Sequence, residues 1–346
     1  MRTIDWAADG IELIDQTRLP GELRVLRATE VDELVGHIGS LAVRGAMALG
    51  VAGALGMALA AHRAQQRGDD LDLALAGAAD LLTGARPTAV NLGWGVRELL
   101  LARAAGADAA GLLDRALAIR DADIATSRAV AARGAALLTG LLPGGVRTVL
   151  THCNAGALAG VEGGSALAVI EQLHASEPLE LVYVCETRPL LQGSRLTAWE
   201  LGRAGIPHRV IVDSAAAGLL VGGAVQAVVV GADRIAANGD VANKVGTLAH
   251  ALACRHAGIP FVVAAPESTV DLATPTGADI PIEERDQAEV LDFAGQRIAA
   301  PGSAACNPAF DVTPAELVTA IVTESRVIRG RADDELTATG PRAEAG

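Results

Sequence analysis

The stretch VVVGADRIAANGDVANK, Val228 to Lys244, starts as an apolar strand and then turns polar. Asp233 and Arg234 follow Gly231-Ala232, and Asp240, Asn243 and Lys244 arrive before the next helical pattern. A carboxylate, an amide and an ammonium gathered past one strand end are the parts of a ligand site, with the ammonium a seat for an anion. Most strand-end acids and hydroxyls merely cap helices, and Asp213-Ser214 is read that way. Asp233 is read differently, because Ile235 to Gly239 form a loop that leaves no helix beside it to cap. Asn243-Lys244 is read as the start of the following helix, where an ammonium beside backbone N–H groups would seat an anion.

A second constellation is THCNAGALAG, Thr151 to Gly160. Cys153 ends a strand between His152 and Asn154, facing helix N-termini, a setting that stabilises a thiolate and lowers the thiol pKa from its usual ~8.5. His152 alternates with Cys153 and is expected to face the other way in a structural role. Cys185 and Cys254 lie inside apolar runs and read as small buried hydrophobes. The glycine-rich turn from Asn154 to Gly164, with Glu186 ending the next strand, invites a dinucleotide reading, but the G-x-G-x-x-G spacing is absent. Its glycines are read as letting backbone N–H groups approach a phosphate or sugar oxygen. Gln192, in RPLLQGSRLTAWE, could orient a hydroxyl. Arg44 and Arg86 are isolated cations beside Gly or Pro and, on spacing alone, read as surface arginines.

Elements must hold these groups in place. Apolar strands are expected at 148–152, 179–184, 209–213, 227–232 and 260–265, with helical patterns between them. That alternation predicts βαβ units and a doubly wound parallel sheet, with ligands beyond the carboxyl ends of the strands. Before Arg133 the chain is mostly helical after a few short strands. The expected organisation is a helical domain over 1–130, a Rossmann-like catalytic domain over 131–330 and a disordered polar tail over 331–346. The 346 residues are 51% hydrophobic but only 2% aromatic, so Ala, Val, Leu and Ile must build the core. Four cysteines without CxxC or Cys/His spacing argue for a reduced, cytoplasmic chain with no disulfide frame and no metal. A net charge of -13 argues against nucleic acid, though not against a local phosphate site. The uncharged run Gly45 to Ala61 reads as a buried helix with small-residue packing rather than a membrane span.

THCNAGALAG, ETRPLLQGSRLTAWEL, GADRIAANGDVANKVGT, IPIEERD and NPAFDVTPAEL, with DQTRLP and RPTAVNLGWGV upstream, resemble the methylthioribose-1-phosphate isomerase family. The likeness runs from about Ile4 to Thr323. It implies a homodimer without cofactor that turns 5-methylthioribose 1-phosphate into 5-methylthioribulose 1-phosphate in methionine salvage. It places Cys153 on the family's catalytic cysteine and Asp233 on its catalytic acid. Arg44, Gly45, Ala46, Arg86, Gln192, Asn243 and Lys244 fall on its substrate-binding positions. One departure is RGAMALG where the family reads RGAPAIG, so Met47 replaces a proline. The implied chemistry needs an acid to open a sugar locked as an acetal. Asp233, with a reference pKa of ~3.9, would need an apolar, desolvated setting to hold that proton. Cys153 would then remove the C2 proton or support a hydride shift. The alternatives are an isomerase of 5-deoxyribose 1-phosphate or ribose 1,5-bisphosphate, a regulatory subunit that binds a sugar phosphate or nucleotide, and, more distantly, a nicotinamide oxidoreductase.

Overall fold

With so few aromatic side chains, close packing falls to small residues, and glycine does much of it in the first half of the chain. The computed structural model describes residues 2–87 and 89–329; the expected disordered tail lies outside them. The chain forms two compact units, Met1–Ala129 with Asn154–Ala168 and Arg195–Ala204, and Val130–Cys153 with Val169–Ser194 and Gly205 onward.

The first unit opens with an antiparallel sheet of β1 (Ile4–Ala7), β2 (Gly10–Ile14) and β3 (Val25–Ala28). Helices α1 (Val31–Gly39), α2 (Ala46–Arg67), α3 (Leu71–Ala85) and α4 (Val90–Ala104) follow, then α5 (Ala109–Leu141), which belongs to this unit as far as Ala129. α2 carries no charge from Ala46 to Ala61 and is buried from Ala48 to Ala61, as a core helix requires. Two glycines bring it against α4: a Cβ on Gly53 would lie 2.5 Å from Leu92 O, and one on Gly95 would strike Gly50 O.

The second unit alternates as the sequence predicts. Its elements begin with β4 (Thr148–Thr151), α6 (Ala166–Ser176), which enters this unit at Val169, and β5 (Leu181–Cys185). α7 (Ala198–Arg203) returns to the first unit, and β6 (His208–Ile211), α8 (Ala216–Val221) and β7 (Ala227–Val230) resume the second. After β8 (Arg234–Ala236), β9 (Val241–Lys244), α9 (Thr247–Ala257) and β10 (Phe261–Ala264) come β11 (Val270–Asp271), α10 (Ala288–Leu291), β12 (Asp292–Phe293) and β13 (Gln296–Arg297). β14 (Phe310–Thr313), β15 (Ala320–Val322) and β16 (Val327–Arg329) complete the described chain.

All five expected strands lie in one seven-stranded sheet, ordered β16-β15-β10-β7-β4-β5-β6, in which only the edge strand β16 runs antiparallel. β7 and β10 are buried along their whole length, so both faces of the sheet are covered and the Val-rich run needs no polar alternation. The chain winds from β4 outward through β5 and β6, then returns to β7 on the other side of β4. The order therefore reverses between β4 and β7, and ligands of open parallel sheets bind at such a reversal, beyond the carboxyl ends.

The loop expected after Asp233 is a hairpin instead. β8 and β9 pair antiparallel around Asn238-Gly239, and with β11 and β14 they make a second sheet ordered β11-β8-β9-β14. Asn-Gly between apolar residues is a strong hairpin signal, and Gly239 has the positive φ, 88°, that such turns demand.

Candidate active site

At this reversal in the second unit, three neighbouring strands, β5, β4 and β7, end side by side. Val149 and Leu150 of β4 lie opposite Ala227 and Val228 of β7, and Thr151 opposite Val184 of β5. Cys153 follows β4, Thr187 and Gln192 follow β5, and Asp233 follows β7. The sequence thus brings its thiol and its strand-end acid to adjacent strands on one sheet edge, flanking the point where the strand order reverses.

Cys153 is half-buried and sits at φ 64°, a left-handed conformation rare outside glycine. Its N–H donates to Thr187 Oγ1 at 2.9 Å. Thr187 is fully buried, also left-handed at φ 66°, and its hydroxyl donates to Cys185 O at 3.0 Å. Asp213 accepts the N–H groups of Thr187 and Arg188 at 2.8 and 2.7 Å. The helix-cap expectation for Asp213 is therefore corrected: its carboxylate reaches across to the end of β5 rather than back along its own turn.

Asp233 donates its N–H to Ala242 O at 2.9 Å, which ties it to the base of the hairpin. Its side chain is exposed, so the desolvated setting expected from the preceding valines is not present in this structure. The reason is topological, since β7 ends at Val230 and the chain leaves the apolar layer before reaching the acid. Asp240 accepts N–H groups from Gly277 and Ala315 and is committed to holding loops.

Asn243 and Lys244 end β9 and do not begin a helix; α9 starts at Thr247, after Gly246 at φ 105°. The expected anion seat at a helix start is corrected accordingly. Asn243 is buried and donates to Thr247 Oγ1 at 3.0 Å. Lys244 is buried too, donates to Ala309 O at 2.7 Å and lies 4.7 Å from the centre of the Phe310 ring. A carbonyl and a ring face stabilise the ammonium, and the Glu289 and Asp311 carboxylates also act on its charge. Gln192, only 9% exposed, has an Oε1 with no hydrogen-bond partner. A buried acceptor left open is costly and is suited to a hydroxyl that arrives with a ligand.

In the first unit, Arg44 precedes Gly45, which sits at φ 99°, and Ala46, the first residue of α2. A Cβ on Gly45 would fall 2.5 Å from Ala159 Cα, so glycine is required for the close approach. Arg44 is not a loose surface cation. Its guanidinium bonds Gln16 Oε1 at 3.2 Å, Asn154 O at 3.3 Å and Asn154 Oδ1. Asn154 donates in turn to Glu200 Oε1 at 2.7 Å and Thr197 Oγ1 at 3.1 Å. Gln16, Thr197 and Glu200 were not singled out from sequence, because a buried partner far along the chain leaves no local signal. Arg86 is half-buried at the end of α3. The glycine-rich turn is corrected as well. A Cβ on Gly156 would lie 2.6 Å from the Glu200 carboxylate, and the N–H groups of Leu158, Ala159 and Gly160 are bonded within the unit. These glycines permit packing rather than cradle an anion.

Among the described residues one cluster has metal-ligand chemistry: His152, Cys185 and His250, all buried, with ligand atoms within 4.8 Å of one another. It is a neutral hydrogen-bonded set. His152 Nε2 lies 2.9 Å from Val245 O, and His250 Nε2 lies 3.2 Å from His152 Nδ1 and 3.5 Å from Cys185 Sγ. Burial, helped by the Lys244 ammonium, pushes His152 down to about 4, and burial, helped by His152, pushes His250 down to about 3. Burial pushes the Cys185 thiol far up, so it stays protonated as the sequence reading expects.

The sign of the resulting pH dependence is fixed. Both histidines bind protons more readily unfolded than folded, so stability is full above about 6.5 and is lost as pH falls toward about 4. The loss through His152 alone is on the order of 3 kcal/mol. Urea midpoints measured from pH 7.5 to 4.5 should fall less steeply in His250→Phe than in the parent chain. Parallel curves would mean that these imidazoles are not held neutral by burial.

The Initiation factor 2 subunit family model matches residues 42–329. A methylthioribose-1-phosphate isomerase of Anaeromyxobacter sp. (strain K) is 54% identical over 94% of this chain and 92% of its own length. A 5-deoxyribose 1-phosphate isomerase of Moorella thermoacetica is 51% identical over 94% of this chain and 93% of its own. The crystal structure of 5-methylthioribose 1-phosphate isomerase from Pyrococcus horikoshii OT3 superposes with a TM-score of 0.88 at 39% identity, covering 95% of this chain and 92% of that one. Matches of this extent span both units, and the chain belongs to the Initiation factor 2 subunit family, among its methylthioribose-1-phosphate isomerases.

Proposed function

We propose that this chain is an aldose–ketose isomerase that converts 5-methylthioribose 1-phosphate to 5-methylthioribulose 1-phosphate. The observation that carries the reading is the placement of Cys153 and Asp233 beyond adjacent parallel strands, at the reversal of strand order. A purely regulatory ligand-binding subunit has no need of both groups.

The substrate's anomeric carbon carries phosphate, so the ring cannot open until its oxygen is protonated. Asp233 supplies that proton. Since the side chain is exposed, its proton affinity must rise on binding. Exclusion of water by the sugar and repulsion from the phosphate dianion both act in that direction. Of the positions that the resemblance assigns to substrate binding, Lys244 offers the phosphate a buried ammonium in the second unit, and Arg44 and Arg86 are the cations of the first. Gln192 Oε1 and Asn243 orient sugar hydroxyls. Cys153, as thiolate, takes the C2 proton to an enediol that is reprotonated at C1, or it stabilises a direct hydride shift from C2 to C1. A C2-deuterated substrate separates the two: proton transfer exchanges label with solvent, and hydride transfer delivers it intact to C1.

Turnover is expected without added metal or nicotinamide, and free methylthioribose should be a very poor substrate because it lacks the binding energy of the phosphate. A chelator that abolishes activity, restored by a divalent ion, would sink this mechanism. The Moorella relative favours a second reading, 5-deoxyribose 1-phosphate as substrate, which differs only at C5. Parallel kcat/KM measurements on both sugars decide between them. The same proposal takes the chain to act as a homodimer in the cytoplasm; cysteines that form no disulfide among the described residues suit a reducing compartment.

A further inference from the structure

We propose that Thr187 and Asp213 are positioning residues that set the direction of the Cys153 thiol. This rests on the reading of Cys153 as the reactive thiol.

The geometry is specific. Residue 153 adopts the left-handed backbone at φ 64°, and nothing in its own side chain favours that conformation. Its N–H is held by a single hydroxyl, Thr187 Oγ1, at 2.9 Å. That hydroxyl has one proton, which is already directed to Cys185 O at 3.0 Å, so the lone pair facing Cys153 is fixed in direction. Thr187 is itself an outlier, since a β-branched residue at φ 66° is seldom tolerated. Asp213 holds it there through both oxygens, one to the Thr187 N–H and one to the Arg188 N–H. Charge-assisted bonds to two successive amides are strong and directional. Gly193 closes the arrangement from the other side, because a Cβ there would strike Cys185 O and lie 2.9 Å from Thr187 Oγ1.

The chain of contacts thus runs from the turn after β6, through the end of β5, to the end of β4. Three neighbouring strands fix one peptide, and the Cα–Cβ bond of residue 153 follows from that peptide. Unusual backbone persists only where its surroundings over-determine it, and such strain concentrates at functional sites. An isosteric valine would fill the same space but remove the bridge from the Cys153 N–H and the Cys185 carbonyl, so stability must be read beside activity.

The test compares Thr187→Val, which keeps shape but removes the bridge, with Thr187→Ser, which keeps the hydroxyl. Thr187→Val should lower kcat by between ~10- and ~100-fold while KM stays within about twofold, the signature of a misdirected group rather than of lost binding. Thr187→Ser should recover most of that loss. Asp213→Asn, which retains one acceptor and turns an amide N–H toward a backbone N–H, should behave like Thr187→Val. Iodoacetamide alkylation of Cys153, followed by peptide mass spectrometry, reads the thiol independently of turnover. Its rate constant should change about tenfold in Thr187→Val and little in Thr187→Ser, since thiol reactivity tracks its local setting. Alkylation and kcat both unchanged in Thr187→Val would overturn the proposal, as would a serine variant as impaired as the valine one. Should Cys153→Ser prove fully active, the reading of Cys153 as the reactive thiol falls, and the alkylation comparison still decides whether Thr187 positions it.

Discussion

Asp233→Asn and Cys153→Ser are each expected to lose at least ~100-fold in kcat with folding intact, the low end for a positioned acid or base. The asparagine keeps the size of the aspartate and one acceptor but has no proton to give, so the sugar ring stays closed. The serine keeps the shape of the cysteine but is a far weaker acid, so no thiolate forms and the C2 step fails. Substrate should still bind both variants, since neither residue is assigned to the phosphate. The double variant should lose little more than the worse single, because the two groups act in one reaction sequence. An alkylating reagent should inactivate the parent chain, with substrate protecting it. Cys185 and Cys254 are buried and Cys306 is exposed, so protection should map to Cys153 alone when the modified peptides are identified. Near-parent turnover by Asp233→Asn at neutral pH would move the acid elsewhere, and Glu186 would be examined next. Asp240 has become a poor candidate, because its oxygens already hold Gly277, Ala315 and Asn238.

The contrast between Asp233 and Asp240 also shows what kind of information the sequence carries. Strand-end chemistry was legible because a run such as Ala227–Val230 can only be a buried parallel strand, and whatever follows it must emerge at the sheet edge. That rule places Cys153 and Asp233 at the sheet edge. The rule does not say how deeply the emerging residue stays buried, and the expected desolvation of Asp233 failed for that reason. Asn243 and Lys244 were assigned to a helix because polar residues before an amphipathic pattern usually cap it. Asn238-Gly239 marks a hairpin and ends four residues before Asn243, and that dipeptide places both residues on a strand. Asp213 was beyond reach of any local rule. Its partners lie 25 and 26 residues upstream, and only the parallel register of β5 and β6 brings them together. Arg44 was misjudged in the same way, since Gln16 and Asn154 are 28 and 110 residues distant along the chain.

Lys244→Ala and Arg86→Ala are expected to lower kcat/KM through loss of phosphate binding, with the lysine the more damaging. Lys244 is 8% exposed, so a dianion drawn to it would be largely desolvated, and removing one partner of such a pair costs roughly 2–4 kcal/mol. That corresponds to a loss of about 30- to 1,000-fold. Arg86 is only half-buried, so water would partly replace it, and its loss should fall at the lower end of that range. The check is competitive inhibition by inorganic phosphate, which reports the seat without the sugar. Its inhibition constant should rise in proportion to the fall in kcat/KM in each variant. Lys244 also has a structural bond, to Ala309 O, so reduced activity alone would not distinguish a lost seat from a loosened sheet. Lys244→Met makes that distinction. Methionine fills the apolar path beside Phe310 and keeps packing, and it carries no charge, so it should weaken phosphate as much as alanine does while melting closer to the parent chain. Phosphate inhibition unchanged in Lys244→Met would remove the lysine from the site, and the anion would then have to be held by Arg44, Arg86 and the first amides of α2 alone.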